Sequence, residues 1–456
     1  MRGVVIGGGL AGGAAALELA RRGLSPVLLE AAPGATALTA GTLDVAGAVP
    51  GSRRLRWRAP LRDAPLTGAD RIAILMGTFA SHPYAALLGR DAVRDDVATP
   101  VKLVEAAVAE LDRALVPHGL GVEGQLDENR LLADQHGVMR VADFVFTGAA
   151  AGSLGEVPEI AWVRIAGLAA DPPAVALRRL AAERATLGLP PVPTRTVELR
   201  LPDGLPVGSP ARLAAALDGP DAPAELARAA EAARGGARAG CVWLFPPVLG
   251  LANLKTNLEA LRERLGGPTA ETLAAVPDPT PGFRLHRALG AALDRAGVER
   301  HRGRATGFET REGRVSAVGF VGDGGAHGRL EADAVVLATG RFLAGGLCER
   351  DGLVCEPILG LPLFDARGER IDGRPARAAL RRRYLDAHPL FSAGVAIDAR
   401  LRPVSFPGTA AVLTNLFAAG DRLTGFDPAR DRTGLGVALV TGVLAARQVA
   451  ALASAP

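Results

Sequence analysis

Three glycines, Gly7, Gly9 and Gly12, carry the clearest chemistry in the sequence. In a G-x-G-x-x-G pattern each has its own task. Gly7 permits a tight turn, Gly9 lets a pyrophosphate approach the backbone, and Gly12 lets a helix pack closely on a strand. The helix start that follows offers amide donors and partial positive charge to phosphates. Glu30, eighteen residues past Gly12, is placed to accept hydrogen bonds from an adenosine ribose. Late in the chain stands Gly420-Asp421, a pair that in flavoproteins with such an N-terminal loop meets the ribityl-phosphate part of the flavin. Gly434-Leu435-Gly436 then opens a helix whose N-terminus can stabilise negative charge on a reduced flavin ring.

These residues need a frame, and the flanking pattern supplies one. Val4-Val5-Ile6 reads as a buried strand, Ala14 to Arg22 as a helix, and Val27-Leu28-Leu29 as a second strand ending on Glu30. Arg314 to Val318 and Ala334 to Leu337 read as further strands. The latter runs into Ala338-Thr339-Gly340, a small-residue turn that can pass close to a bound adenine. Asn415 to Ala419 is another strand, and Val437 to Ala450 a largely apolar helix. The fold class expected is α/β: a discontinuous Rossmann-like FAD/NAD(P)-binding domain with a large α/β insertion. Its pieces are 1–50, 297–345 and 409–456. Within the inserted region 51–296, strands at Trp162–Ala166, Thr194–Leu201 and Cys241–Phe245 alternate with helices at Pro173–Leu187, 210–217 and 221–235. That alternation predicts a small parallel α/β unit over about 160–265. It has no glycine-rich phosphate loop. Segments 51–160 and 346–408 are expected to cap the flavin face, with Leu363-Phe364 and Phe391-Ser392 contributing.

Composition narrows the function. Of 456 residues 48% are hydrophobic and 22% charged, ordinary globular usage. The net charge of +4 is small, and Lys102 and Lys255 are the only lysines among 52 basic residues. With no dense basic run beyond Arg381–Arg383, a nucleic-acid partner is not expected. An RNA-modifying flavoprotein would rest on the basic pI alone. Three cysteines, Cys241, Cys348 and Cys355, suit a reducing cytoplasm and cannot ligate an iron–sulfur cluster; no metal site is expected. The uncharged run Thr433–Ala446 reads as too short to span a membrane, and with a strand expected at Val4-Val5-Ile6 no secretory leader is expected.

The motif set resembles the B subunit of anaerobic glycerol-3-phosphate dehydrogenase along nearly the whole chain. The matching pieces are the glycine loop, Gly41-Thr42-Leu43-Asp44, His82-Pro83-Tyr84 with Leu88-Gly89, and Gly345-Gly346-Leu347 with Glu349-Arg350. Glu356-Pro357-Ile358-Leu359-Gly360-Leu361, Asn415 to Ala418 and Gly425-Phe426-Asp427-Pro428 complete the set, and Thr42 joins the cofactor-binding candidates. The resemblance implies a flavoprotein working with an FAD-bearing A subunit and an iron–sulfur C subunit. Together they oxidise sn-glycerol 3-phosphate to dihydroxyacetone phosphate and pass electrons to quinone. It also implies a cytoplasmic subunit, peripheral on the inner membrane face through its partners. The family B subunit is described as an FMN protein, whereas Glu30 favours FAD. Two other readings stand beside this one: a self-sufficient dehydrogenase or reductase of the fumarate-reductase type, and a flavin-holding scaffold without turnover.

Oxidising a secondary alcohol calls for a base, and His82 is the histidine inside a resemblance motif. A phosphate-bearing substrate calls for arginine, with Arg284, Arg341 and Arg350 as candidates. Glu349, Glu356 and Asp427 suit cap or turn roles better than catalytic ones.

Overall fold

The computed structural model describes residues 1–46, 66–78, 81–86, 98–275, 280–383 and 386–454. The strand Arg2–Ile6 lies inside a seven-stranded sheet, as an apolar strand buried on both faces should. It pairs in parallel with Ser25–Glu30 on one side and with Ala334–Leu337 on the other. Glu299–Arg311 extends the parallel sheet beyond Ser25–Glu30, and Leu416–Ala418 extends it beyond Ala334–Leu337. Arg314–Gly322 and His327–Glu331 continue from Glu299–Arg311 as antiparallel strands.

The strand order reverses between Arg2–Ile6 and Ala334–Leu337. Chain direction there leaves a crevice beyond the carboxyl ends of both strands, where open α/β sheets bind their ligands. One face of the sheet packs on the helices Leu10–Arg21, Thr280–Arg295 and Gly434–Ala453, through Leu19, Leu28, Leu285 and Val440 among others. The opposite face, with Val4, Ile6, Val27 and Leu29, is covered by residues such as Val315, Leu363 and Leu390.

A second sheet has four parallel strands in the order Thr269–Glu271, Val242–Phe245, Ile160–Ile165 and Thr194–Leu199. The helices Pro173–Thr186, Pro210–Ala216, Ala222–Ala233 and Leu254–Leu265 accompany it.

Two expectations change here. The C-terminal apolar run forms a helix of 20 residues, Gly434–Ala453, so by length and hydropathy it could cross a membrane. Most of it is instead buried: Gly442 lies against Ala11 so closely that a Cβ there would collide with the Ala11 carbonyl. Leu363-Phe364 is also not a cavity cap. Both side chains are fully buried in a short strand paired with Gly394–Val395.

Candidate functional site

The glycine loop opens onto a cavity of ≈ 1020 Å³ at the strand-order reversal. This is the upper end of the range of about 300–1,000 Å³ usual for small-molecule sites, room for a nucleotide cofactor. Gly7 has φ +125°, a conformation in which a side chain is strained, and a Cβ there would strike the Ala338 carbonyl. Gly9 caps the helix Leu10–Arg21 in an extended conformation. The intrahelical ladder begins with Gly13 N–H donating to the Gly9 carbonyl at 2.9 Å, so the amides ahead of it are left for other acceptors. Leu10 N–H already donates to Thr36 Oγ1 at 2.8 Å. Thr36 is a threonine that no local pattern singles out.

Of the residues singled out from the sequence, Gly7, Gly9, Thr42, Gly340, Asp421 and Gly434 line this cavity. Gly12, Gly420 and Gly436 do not; they permit close packing. A Cβ on Gly12 would collide with the Gly7 carbonyl, and one on Gly436 would sit 2.7 Å from Val45 Cα. Gly420, at φ +77°, donates its N–H to Thr441 Oγ1 at 2.8 Å. Glu30 stands behind the loop, its carboxylate against Gly8. Its Oε1 accepts from Arg300 Nε at 3.1 Å and Nη2 at 2.7 Å.

Asp421 is a half-buried carboxylate on the cavity wall, alongside Asp44 and Asp134. Its Oδ1 has no hydrogen-bond partner and lies 3.4 Å from the Arg341 guanidinium. Burial pushes its pKa up, against the pull of Arg341. The glycine cradle, the helix start and this orphaned oxygen together fit a flavin nucleotide. Gly7–Gly9 and the helix amides would hold its phosphates, and Asp421 would accept from a hydroxyl.

The two catalytic candidates are corrected by their surroundings. Arg284 is buried and holds Glu271 with both terminal nitrogens, while its Nε donates to the Gly250 carbonyl at 2.6 Å. Paired with Glu271 and away from the cavity lining, it is not placed to hold a substrate phosphate there. His82 is fully buried between Tyr84 and Phe426, away from the cavity lining, and accepts from Tyr84 N–H at 3.2 Å. Burial depresses its pKa to about 3, so it is neutral at physiological pH. Leu88-Gly89 lies outside the described residues.

Arg341 is likewise structural. Its nitrogens donate to the carbonyls of Asp421 (2.9 Å), Leu423 (3.0 Å), Phe391 and Phe426. Glu356 accepts from Arg422 and from the amides of Ile358 (3.0 Å), Leu359 (2.6 Å) and Leu361 (3.2 Å). Asp427 caps the short helix Pro428–Asp431 by accepting from Ala429 and Arg430. Arg341 nonetheless lines the cavity, as does Arg350, joined by Arg140, Arg304 and His136. Sequence reasoning missed these last three, because they come from the inserted region and from within the strand Glu299–Arg311, where no motif marks them. His136 Nδ1 lies 2.8 Å from the Asp171 carboxylate.

Residues 3–365 match the FAD binding domain family, which makes this a flavin-binding protein of the oxidoreductase type. A probable B subunit of anaerobic glycerol-3-phosphate dehydrogenase from Halobacterium salinarum is 30% identical, over 97% of this chain and 96% of its own length. Another such B subunit, from Yersinia pseudotuberculosis, is 29% identical over 98% and 97%. Among solved structures, a 3-ketosteroid-Δ4-(5α)-dehydrogenase from Rhodococcus jostii RHA1 is 14% identical, with a TM-score of 0.40 and coverage of 98% and 96%. The chain belongs to the family of anaerobic glycerol-3-phosphate dehydrogenase B subunits.

Proposed function

We propose that this chain is the flavin-bearing B subunit of a respiratory dehydrogenase that oxidises sn-glycerol 3-phosphate to dihydroxyacetone phosphate. The observation that carries the reading is the glycine cradle opening on a cavity with the unpartnered Asp421 Oδ1 at its wall, in a chain of this family. FAD rather than FMN is supported by the match to the FAD binding domain family and by a cavity of ≈ 1020 Å³. The expected role of Glu30 is corrected, since it is buried, ion-paired with Arg300 and away from the cavity lining. When bound, a flavin takes hydride from a secondary alcohol.

The chain's own residues then bind and orient. Arg304 and Arg350 offer guanidinium donors suited to a phosphate ester, while Arg140 is paired with Asp44 at 3.5 Å on the same wall. His136 is the histidine at the cavity. With the Nδ1 proton directed at Asp171, Nε2 is the basic nitrogen that accepts the substrate hydroxyl proton. The start of the helix Gly434–Ala453 favours negative charge near Gly434. Electrons leave through partner subunits, an FAD-bearing A subunit and an iron–sulfur C subunit, which reach quinone. The complex sits on the inner face of the cell membrane through those partners. Three cysteines in this chain are too few to ligate a cluster of its own.

The test begins with heat release of the flavin from purified protein and its identification by mass. FAD is expected, and FMN alone would overturn that reading of the cofactor. The flavin-loaded chain is then assayed with glycerol 3-phosphate and a quinone, alone and with its partners. Turnover only with the partners is expected. Full turnover by the chain alone would replace the relay with a self-sufficient dehydrogenase.

A further inference from the structure

Cys348–Arg350 and Leu353–Cys355 form an antiparallel hairpin that sets Cys348 directly opposite Cys355, with the sulfurs 3.4 Å apart. Asp351 and Gly352 between them both have positive φ, 52° and 76°, the mark of a two-residue type I′ turn. Val354 donates outward to the Arg374 carbonyl and accepts from Gly373 N–H, both at 2.9 Å. The Glu349–Val354 pair therefore exchanges no hydrogen bonds, and the next pair, Cys348–Cys355, is the hydrogen-bonded kind. Cα atoms of such a pair lie about 5.5 Å apart, within the span of roughly 4.4–6.8 Å that a disulfide bridges. Both cysteines are partly exposed, and Cys348 lines the large cavity, whereas Cys241 is buried.

We propose that Cys348 and Cys355 are a redox-active dithiol that exchanges two electrons with small thiols and disulfides. One cysteine thiolate attacks the sulfur–sulfur bond of a small disulfide, forming a mixed disulfide and releasing one thiolate. The facing cysteine gives its proton to solvent and attacks the protein-side sulfur of that mixed disulfide. The intrachain bond closes and the second small thiolate leaves. Two cysteine thiols are oxidised and one small disulfide is reduced to two thiols; excess small dithiol runs the sequence backwards. The rigid hairpin keeps the second sulfur at hand, so closure is an intramolecular step. Exposed disulfides of this kind are the readily reduced ones. Burial pushes the Cys355 thiol up, and because the thiolate is the nucleophile the exchange accelerates as pH rises. Closure ties the cavity-wall strand to the residue preceding Glu356. This inference rests on the hairpin and is independent of which flavin or substrate the cavity takes.

The test uses the full chain, reduced and freed of reductant, then incubated with glutathione disulfide and quenched with N-ethylmaleimide. Arg350 lies between the two cysteines, so trypsin separates their peptides unless a disulfide joins them. The expected product has lost two hydrogen atoms, links the two peptides, leaves Cys241 alkylated and reverts in dithiothreitol. Cys355→Ser should accumulate a lasting glutathione adduct on Cys348, about tenfold or more above the wild type, because it lacks the resolving thiol. Cys348→Ser should give the reciprocal adduct on Cys355. A wild-type chain that carries glutathione on these cysteines without linking them, or that leaves both free, overturns the proposal.

Discussion

Gly9→Val separates the ligand's need for glycine from the fold's need. Gly9 has φ −81° and ψ −177°, which valine adopts without strain, and a Cβ there meets only Thr36 Oγ1 at 3.2 Å. The displaced hydroxyl costs the chain at most its bond from Leu10 N–H, about 0.5–1.5 kcal/mol. Restricting the unfolded chain offsets part of this, by about 0.4–1 kcal/mol. The flavin-free protein should thus melt within a degree or two of wild type. The valine methyls, however, stand in the cavity where phosphates approach. Forcing added carbon into filled space costs about 1–3 kcal/mol, or about 5–150-fold in Kd. Gly12→Val is the contrast, since its Cβ strikes the Gly7 carbonyl and the fold itself must give. Fluorescence titration of flavin and thermal melts of both flavin-free variants decide the matter. Native flavin affinity in Gly9→Val, or a melt as damaged as that of Gly12→Val, would refute the reasoning.

Glu356→Gln strands the fully buried Arg422 without its counter-charge and should cost about 3–5 kcal/mol in a urea melt. Adding Arg422→Met should recover part of that loss, and strict additivity would count against the pair. His136→Ala should lower kcat of the assembled enzyme by about 10²–10⁴-fold while the chain retains its flavin; unchanged kcat would remove it from the proposed chemistry. For Glu18, burial opposes ionisation, but hydrogen bonds from Arg21, Arg22 and Arg447 overcome it and hold the pKa at about 2. Its contribution is therefore full above the ordinary carboxylate range near 4.5 and lost as pH falls toward 2. Glu18→Gln should flatten that part of the stability–pH curve; an unchanged acid limb would contradict the assignment.

The glycine loop and the paired strands around it were legible because their signals are local. Val4–Ile6, the three glycines and Val27–Leu29 lie within thirty residues, and each constrains the backbone directly. The alternation that predicts a second parallel sheet is local in the same way. What stayed hidden is pairing across distance. Arg284 reads as a free cation until Glu271 is brought to it, and Glu30 reads as a free acid until Arg300 arrives from 270 residues away. His136 and Arg140 carry no motif at all, and only the folding of the inserted region against the loop brings them to the cavity. In a chain with 52 basic residues, sequence spacing cannot say which ones a buried carboxylate has already claimed.

The packing of the helix Leu10–Arg21 against Gly434–Ala453 sets a timetable for synthesis. The nucleotide loop emerges well before the helix that covers it, which starts about 420 residues later. At the usual translation rate of about 5–20 residues per second, the loop waits roughly 20–80 s for its cover. The neighbouring strand Ala334–Leu337 is also missing for most of that time. During the wait Leu10, Ala14 and Leu19, all buried in the finished protein, face solvent or a chaperone. A ribosome that stalls before Gly434 releases a chain with its cofactor loop written and its site unbuilt.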